Sequence, residues 1–272
     1  MKTLIRGGRI IDPKTSRDGV YDILIEGPVI REISDTIKKT DGKTEVVDAS
    51  GCIVAPGLVD VHCHLREPGF EYKETIATGT GAAVCGGFTT LVCMANTNPV
   101  NDSRSVTEFI IDKARSEGKC KVLPCGAITR GLKGEELSEI GEMFSAGIVA
   151  ISDDGRSVRS AGLLRKALEY AKIFSLPVIS HCEDDTLSGG SVHEGGASLL
   201  NGLEGIPAIA EELMVERDIA IARYVDAPVH ITHISTAGSV RIIEAARKTF
   251  RKVTADTCPH YFSLTDEATL TY

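Results

Sequence analysis

The stretch GLVDVHCHLR, residues 57–66, decides how the rest of the chain is read. Leu58, Val59 and Val61 give it the apolar opening of a strand, and its polar side chains gather at the C-terminal end. His62 and His64 stand two apart, so on a strand both imidazoles leave the same face, and Arg66 continues that register. Two imidazoles so placed can bind one cation together. A single histidine on an apolar strand is usually a satisfied core residue. A same-face pair followed by Arg66, Glu67, Pro68 and Gly69 is poorly explained that way.

Six further segments repeat the design of an apolar run with a polar end. They are GFTTLVCMAN (87–96), CKVLPCGAIT (120–129), GIVAISDDG (147–155), LPVISHCE (176–183), APVHITHIS (227–235) and RKVTADTCPH (251–260). Helical periodicity falls between them. In 103–115, behind the capping residues Asp102 and Ser103, the apolar Val106, Phe109, Ile110 and Ala114 share one face. In 162–174 Leu163, Leu164, Ala167, Leu168 and Ala171 do the same, and 207–224 and 236–250 follow suit. Apolar strands alternating with helices predict a parallel sheet covered on both faces. An open doubly wound sheet would concentrate its polar residues at one switch point. Polar ends on strand after strand instead predict the C-terminal mouth of a (β/α)₈ TIM barrel. Seven strands are visible and the eighth βα unit is missing, so the chain reads as C-terminally truncated. Residues 1–55 read differently: TLIRGGRIID, VYDILIEGPVIREIS and TEVVDASGCIV are short strands joined by turns, a small β-rich domain ahead of an incomplete barrel over 56–272.

Other residues can join the histidine pair at such a mouth. His181 and His233 end their own strands after apolar runs and would converge with His62 and His64. Asp153 and Asp154 precede Gly155, where Asp-Gly is common turn chemistry, yet between two histidine pairs one of the two aspartates is placed to coordinate or bridge metal. Four histidines and a carboxylate suit Zn²⁺ with positions open for water. Arg66 offers a guanidinium fork to a substrate carboxylate, and Asn96 an amide, unless Asn96 only forms the turn of Asn-Thr-Asn-Pro. His230, three residues before His233, points to the opposite strand face and reads as structural. His193 lies in a glycine-rich loop, and His260 would stand behind the ligands.

Composition excludes several alternatives. The 272 residues carry a net charge of -8, which argues against a nucleic-acid footprint. No apolar run reaches the roughly 18 residues of a membrane span, and the N-terminus meets a turn too early for a signal peptide. The eight cysteines form no CxxC pair and read as reduced, buried thiols of a cytoplasmic protein.

With these residues in hand, the chain resembles the amidohydrolase superfamily and, within it, dihydroorotase of the bacterial and archaeal type. The segments that carry the resemblance are GCIVAPGLVDVHCHLREPG, MANTNP, ISDDG, HCEDD, GGSVHEG, PAIAEELMVERDIAIA and HITHIST. The resemblance implies an amidohydrolase barrel joined to a small N-terminal β-sandwich domain, with one or two Zn²⁺ ions. It makes His62 and His64 the paired ligands, His181 and His233 the ligands of a second metal position, and Asp154 the bridging carboxylate. No lysine lies between Lys133 and Lys166, so a carbamate bridge on the fourth strand is excluded. Arg66 and Asn96 match the binders of the substrate carboxylate. The implied reaction is reversible hydrolysis of dihydroorotate to N-carbamoyl-L-aspartate in pyrimidine biosynthesis, with a homo-oligomer or an aspartate carbamoyltransferase as a possible partner. Ala95 departs from the usual proline, and TCPHY at 257–261 is closer to hydantoinases and allantoinases, which keeps their cyclic amides open as substrates. The general acid/base aspartate of the family is expected beyond residue 272, so the 272 residues alone are expected to be impaired. A non-catalytic barrel supporting a partner enzyme is the remaining reading.

Overall fold

The computed structural model describes residues 2–38 and 42–270. It separates into two compact units, Met1–Leu58 and Val59–Tyr272.

The first unit is built on one mixed five-stranded sheet. Strands β1 (Lys2–Asp12), β2 (Arg17–Glu26), β3 (Val29–Ser34) and β4 (Thr44–Asp48) run in the order β3-β2-β1-β4, and β5 (Ile53–Val54) also pairs with β1. β1 is antiparallel to β2 and parallel to β4 and β5. Alternation buries Leu4, Ile10 and Ile23, while Val20, Val29, Ile30 and Ile53 remain exposed. The buried Asp22 carboxylate accepts the backbone N–H groups of Gly7 and Ile37, each at 2.9 Å, tying β2 to a β1 bulge and to the segment after β3.

The second unit alternates strand and helix. In chain order it runs β6 (Leu58–Cys63), α1 (Ile76–Cys85), β7 (Phe88–Cys93), α2 (Arg104–Glu117), β8 (Lys121–Gly126), α3 (Ile140–Ala146) and β9 (Ala150–Ser152). It continues with α4 (Ala161–Ile173), β10 (Val178–Ser180), β11 (Val192–His193), α5 (Gly196–Asn201), β12 (Gly205–Ile206) and α6 (Ile209–Val225). Then follow β13 (Val229–Ile231), α7 (Ala237–Arg247), β14 (Val253–Ala255), α8 (Pro259–Ser263) and a 3-10 turn at Asp266–Leu270. Apart from the small β11–β12 pair, the strands form one seven-stranded sheet ordered β14-β13-β10-β9-β8-β7-β6, parallel from β7 to β14. This mixed α/β arrangement fits a (β/α) barrel.

The strands β9, β10 and β13 are only three residues long each. Their side chains pack with α4, α6 and α7 into one core that includes Ile151, Leu164, Leu168, Val178, Val215 and Ile231. The apolar face expected for α4 is the one buried. On α2 the expected face needs correction. Phe109 is exposed and Thr107 is buried instead, its hydroxyl donating to Asn101 Oδ1 at 2.7 Å. The thiol reading also changes: all eight cysteines are free, but Cys52 and Cys85 are exposed.

Candidate functional site

The parallel sheet puts the C-terminal ends of its strands on one side, so residues far apart in sequence meet there. His62 belongs to β6, with His64 just past its end; Asp154 follows β9, His181 follows β10, and His233 follows β13. Two groups result, His62–His64–Asp154 and Asp154–His181–His233, each with its ligand atoms within 4.8 Å of one another. Asp154 is common to both. Its Oδ1 is 3.4 Å from His62 Nε2 and 3.3 Å from His233 Nε2, and its Oδ2 is 3.5 Å from His64 Nε2. His181 Nδ1 lies 3.8 Å from Asp154 Oδ1 and 2.9 Å from His233 Nε2.

The ring nitrogens facing away from this centre decide which nitrogens face it. His64 Nδ1 is 2.9 Å from Asn96 Oδ1, an oxygen that can only accept, so Nδ1 carries the proton and Nε2 offers a lone pair. His181 Nε2 is 3.2 Å from the Glu183 carboxylate, which leaves Nδ1 as its lone pair on the same reasoning. His62 Nδ1 lies 2.6 Å from the Thr232 hydroxyl. Outer partners of this kind fix ring orientation at metal sites.

Charge follows burial and partners. Burial pushes the Asp154 carboxyl up, but the surrounding rings of His181, His233 and His62 outweigh it and hold the group well below the usual carboxylate range. His62 and His181 are raised: burial opposes their charge, and Asp154 more than offsets it. Burial lowers His64, helped by neighbouring Arg66 and His62. A buried anionic carboxylate ringed by four imidazoles, with the outer nitrogens of three rings already partnered, is a donor set suited to one or two divalent cations.

Asp153 takes no part. It turns away from the histidines and accepts the backbone N–H groups of Ile128 and Thr129 at 2.8 and 2.9 Å, together with the Thr129 hydroxyl. Its pKa is pushed up to about 6 by burial, against those hydrogen bonds.

Beside Asp154 opens a cavity of about 360 Å³ whose lining includes Arg66, Lys73, Asn96 and Arg156. Arg66 has a left-handed backbone, φ 62°. The loop behind it closes tightly, since a Cβ at Gly69 (φ 94°) would stand 1.9 Å from the Asn98 carbonyl oxygen. Asn96 follows β7, lines this cavity and has its amide oxygen engaged by His64. A second cavity, of about 270 Å³, reaches His181 and His233 from the side of Pro207, Glu211 and Tyr261.

The structure thus brings His62, His64, Asp154, His181 and His233 together, with Arg66 and Asn96 alongside. His230 faces Thr254 and Asp256 rather than the centre, in line with its odd spacing. His193 is exposed on β11. His260 is exposed on α8, its ring 4.3 Å from that of Tyr261, and is not behind the ligands. Sequence reasoning missed Glu183, Thr232 and Asp256. The signal available was position, because each follows a strand whose end already carried a candidate ligand or lay beside one.

A family model described as dihydro-orotase-like matches residues 51–239. The dihydroorotase of Acetivibrio thermocellus is 54% identical over 266 residues, 97% of this chain and 62% of that protein. The dihydroorotase of Geobacter metallireducens is 53% identical over 273 residues, 100% of this chain and 64% of that protein. The chain therefore spans less than two thirds of the length of these relatives. Among solved structures, the L-hydantoinase of Arthrobacter aurescens matches with a TM-score of 0.83 at 19% identity, over 97% of this chain and 60% of that one. The dihydropyrimidinase of Brevibacillus agri matches with a TM-score of 0.79 at 25% identity, over 98% of this chain and 59% of that one.

Proposed function

This chain belongs to the dihydro-orotase-like family, and on that premise we propose that it serves the reversible hydrolysis of dihydroorotate to N-carbamoyl-L-aspartate in pyrimidine biosynthesis, with one or two Zn²⁺ ions. The observation that carries the proposal is Asp154, shared by two histidine pairs and lining the cavity that also holds Arg66 and Asn96.

His62, His64 and Asp154 would hold one cation, and Asp154, His181 and His233 a second. When bound, such a cation polarises a carbonyl and brings the pKa of water toward neutrality. The remaining work belongs to the side chains. The Arg66 guanidinium presents a planar fork to the carboxylate of dihydroorotate, and the Asn96 amide N–H donates beside it. Fixing that carboxylate orients the ring so that one amide carbonyl faces the Asp154 centre, and orientation of this kind supplies a large share of a hydrolytic rate. Lys73 and Arg156 leave the cavity cationic, which suits a product bearing two carboxylates.

In this reading residues 1–55 are a small domain, its sheet one layer of a β-sandwich, and residues 56–272 belong to the barrel. The exposed Val20, Val29 and Ile53, which share one face of the sheet, support a second layer. Eight unpaired thiols support a cytoplasmic location, and no described helix is long and apolar enough to cross a membrane.

A hydantoinase-like specificity is the second reading, favoured by the solved structures above and by Thr257–Tyr261, TCPHY. Turnover of dihydroorotate, hydantoin and allantoin by the zinc-loaded protein separates the two. Dihydroorotate consumed at least tenfold faster than either rival supports the proposal, and a preference for hydantoin or allantoin overturns it.

A further inference from the structure

Behind the histidines lies a carboxylate with no assigned part in the reaction. Asp256 follows β14, and its side chain is about one fifth exposed. It makes three connections. Both oxygens are 3.1 Å from the Thr232 hydroxyl, and Thr232 is itself fully buried. Oδ1 accepts the backbone N–H of His233 in a short hydrogen bond. Oδ2 accepts from His230 Nε2 at 2.9 Å, and the opposite nitrogen of that ring meets the Thr254 hydroxyl at 2.8 Å.

The contacts favour one order of protons along this chain. An ionised Asp256 only accepts, so the Thr232 hydroxyl proton is the one that can bridge the two residues. The Thr232 oxygen is then free only to accept, and its other neighbour is His62 Nδ1 at 2.6 Å. In that order Nδ1 carries the proton, so His62 Nε2 faces the Asp154 centre as a lone pair. The second arm acts on backbone. His233 has φ 42°, a left-handed conformation that a residue with a Cβ adopts only when its surroundings hold it there. The Asp256 carboxylate supplies that hold at the amide nitrogen of His233 itself.

We infer that Asp256 is a positioning residue that braces one ligand from each histidine pair, His62 through the Thr232 hydroxyl and His233 through its backbone N–H. His230 holds the carboxylate from the far side, which explains a histidine so close in sequence to a ligand and yet pointing away from it. The inference rests on the reading that the cluster holds a divalent cation.

The test is zinc affinity by chelator competition, with the visible spectrum of the Co²⁺-loaded protein as a second readout of ligand geometry. Four proteins are compared: unaltered, Thr232→Val, Thr232→Ser and Asp256→Asn. Thr232→Val keeps shape but removes the relay hydroxyl, and its affinity should fall by about 10–100-fold with an altered Co²⁺ spectrum. Thr232→Ser restores the hydroxyl and should bind within about threefold of the unaltered protein, a rescue that a packing role would not give. Asp256→Asn weakens both arms and should cost at least as much as Thr232→Val. If Asp256→Asn does not fold, the threonine pair decides. Zinc binding by Thr232→Val equal to that of the unaltered protein overturns the inference alone, as does equal loss in Thr232→Ser and Thr232→Val. Failure of the unaltered protein to bind zinc or cobalt overturns the inference together with the metal reading beneath it.

Discussion

Asp153 and Asp154 are neighbours in sequence whose carboxylates face opposite surroundings: Asp153 is held by the backbone of Ile128 and Thr129, and Asp154 by His62, His64 and His233. The pair therefore splits by substitution. Asp154→Asn keeps the shape but removes the charge shared by both histidine pairs. Zinc affinity should fall by more than the roughly 10–100-fold that loss of an outer partner costs, with little change in unfolding. Asp153→Ala should do the reverse. Two buried N–H groups lose their acceptor, at about 1–3 kcal/mol each, while the four histidines and Asp154 stay in place. Urea unfolding and zinc competition on both variants check the split.

Arg66 and Asn96 line the same cavity but differ in what else they touch. Arg66 has no hydrogen bond to a histidine, whereas Asn96 Oδ1 accepts from His64. Arg66→Met should raise KM for dihydroorotate by about 10-fold or more, the worth of a charge-assisted hydrogen bond, with zinc content unchanged. Asn96→Ala should raise KM and also weaken zinc, because His64 loses the partner that sets its tautomer. Steady-state kinetics and metal analysis, run side by side, distinguish the two residues.

The loop that follows Asp154 is clamped from α6. Arg217 donates to the carbonyls of Arg159 and Val158, each at 2.9 Å, and to the buried Asp218 carboxylate at 2.7 Å. Burial raises the Asp218 pKa, with Arg217 opposing it. Arg217→Met removes the cation and leaves a buried carboxylate exposed to that penalty. Breaking such a pair costs about 3–5 kcal/mol, and adding Asp218→Asn should return part of it. Equilibrium unfolding of the single and double variants measures both steps.

What was legible in the sequence follows from which physical signal each element carries. The strand ends bearing His62, His64, Asp154, His181 and His233 could be read because polar residues terminating apolar runs betray a common mouth. The α4 helix could be read because Leu164, Ala167, Leu168 and Ala171 keep one clean face. α1 could not. Its sequence IATGTGAAVC has no apolar stripe, and only Ile76 and Thr80 are buried. Gly79 sits there because a Cβ would come within 2.6 Å of Leu65, and its helix starts from a capping box between Thr75 and Thr78. Phe109 misled because periodicity marks a helical face without telling which edge of it a neighbour covers. Asp256 was hidden for a different reason: its partners Thr232, His230 and His233 come from the adjacent strand, and register between strands is not written in either one alone.

The N-terminal sheet should report on pH through one group. Asp22 is buried and accepts the N–H groups of Ile37 and Gly7, and these bonds, with Arg6 nearby, hold its pKa below the ordinary value despite burial. An aspartate whose folded pKa lies below its unfolded value contributes stability that is complete above the unfolded pKa. That contribution disappears as pH falls through the folded value. The loss should begin near pH 4, the unfolded aspartate range, and deepen below it. Asp22→Asn removes the titration. One of the two backbone bonds also goes, since an amide has a single accepting oxygen, at a cost of about 1 kcal/mol near neutrality. The variant should therefore be less stable than the unaltered protein at pH 7, and the gap should narrow as both are acidified toward pH 3. Thermal unfolding across that range, followed by hydrogen exchange at Gly7 and Ile37, checks it; a gap that widens on acidification would show that the carboxylate is not held in its charged form.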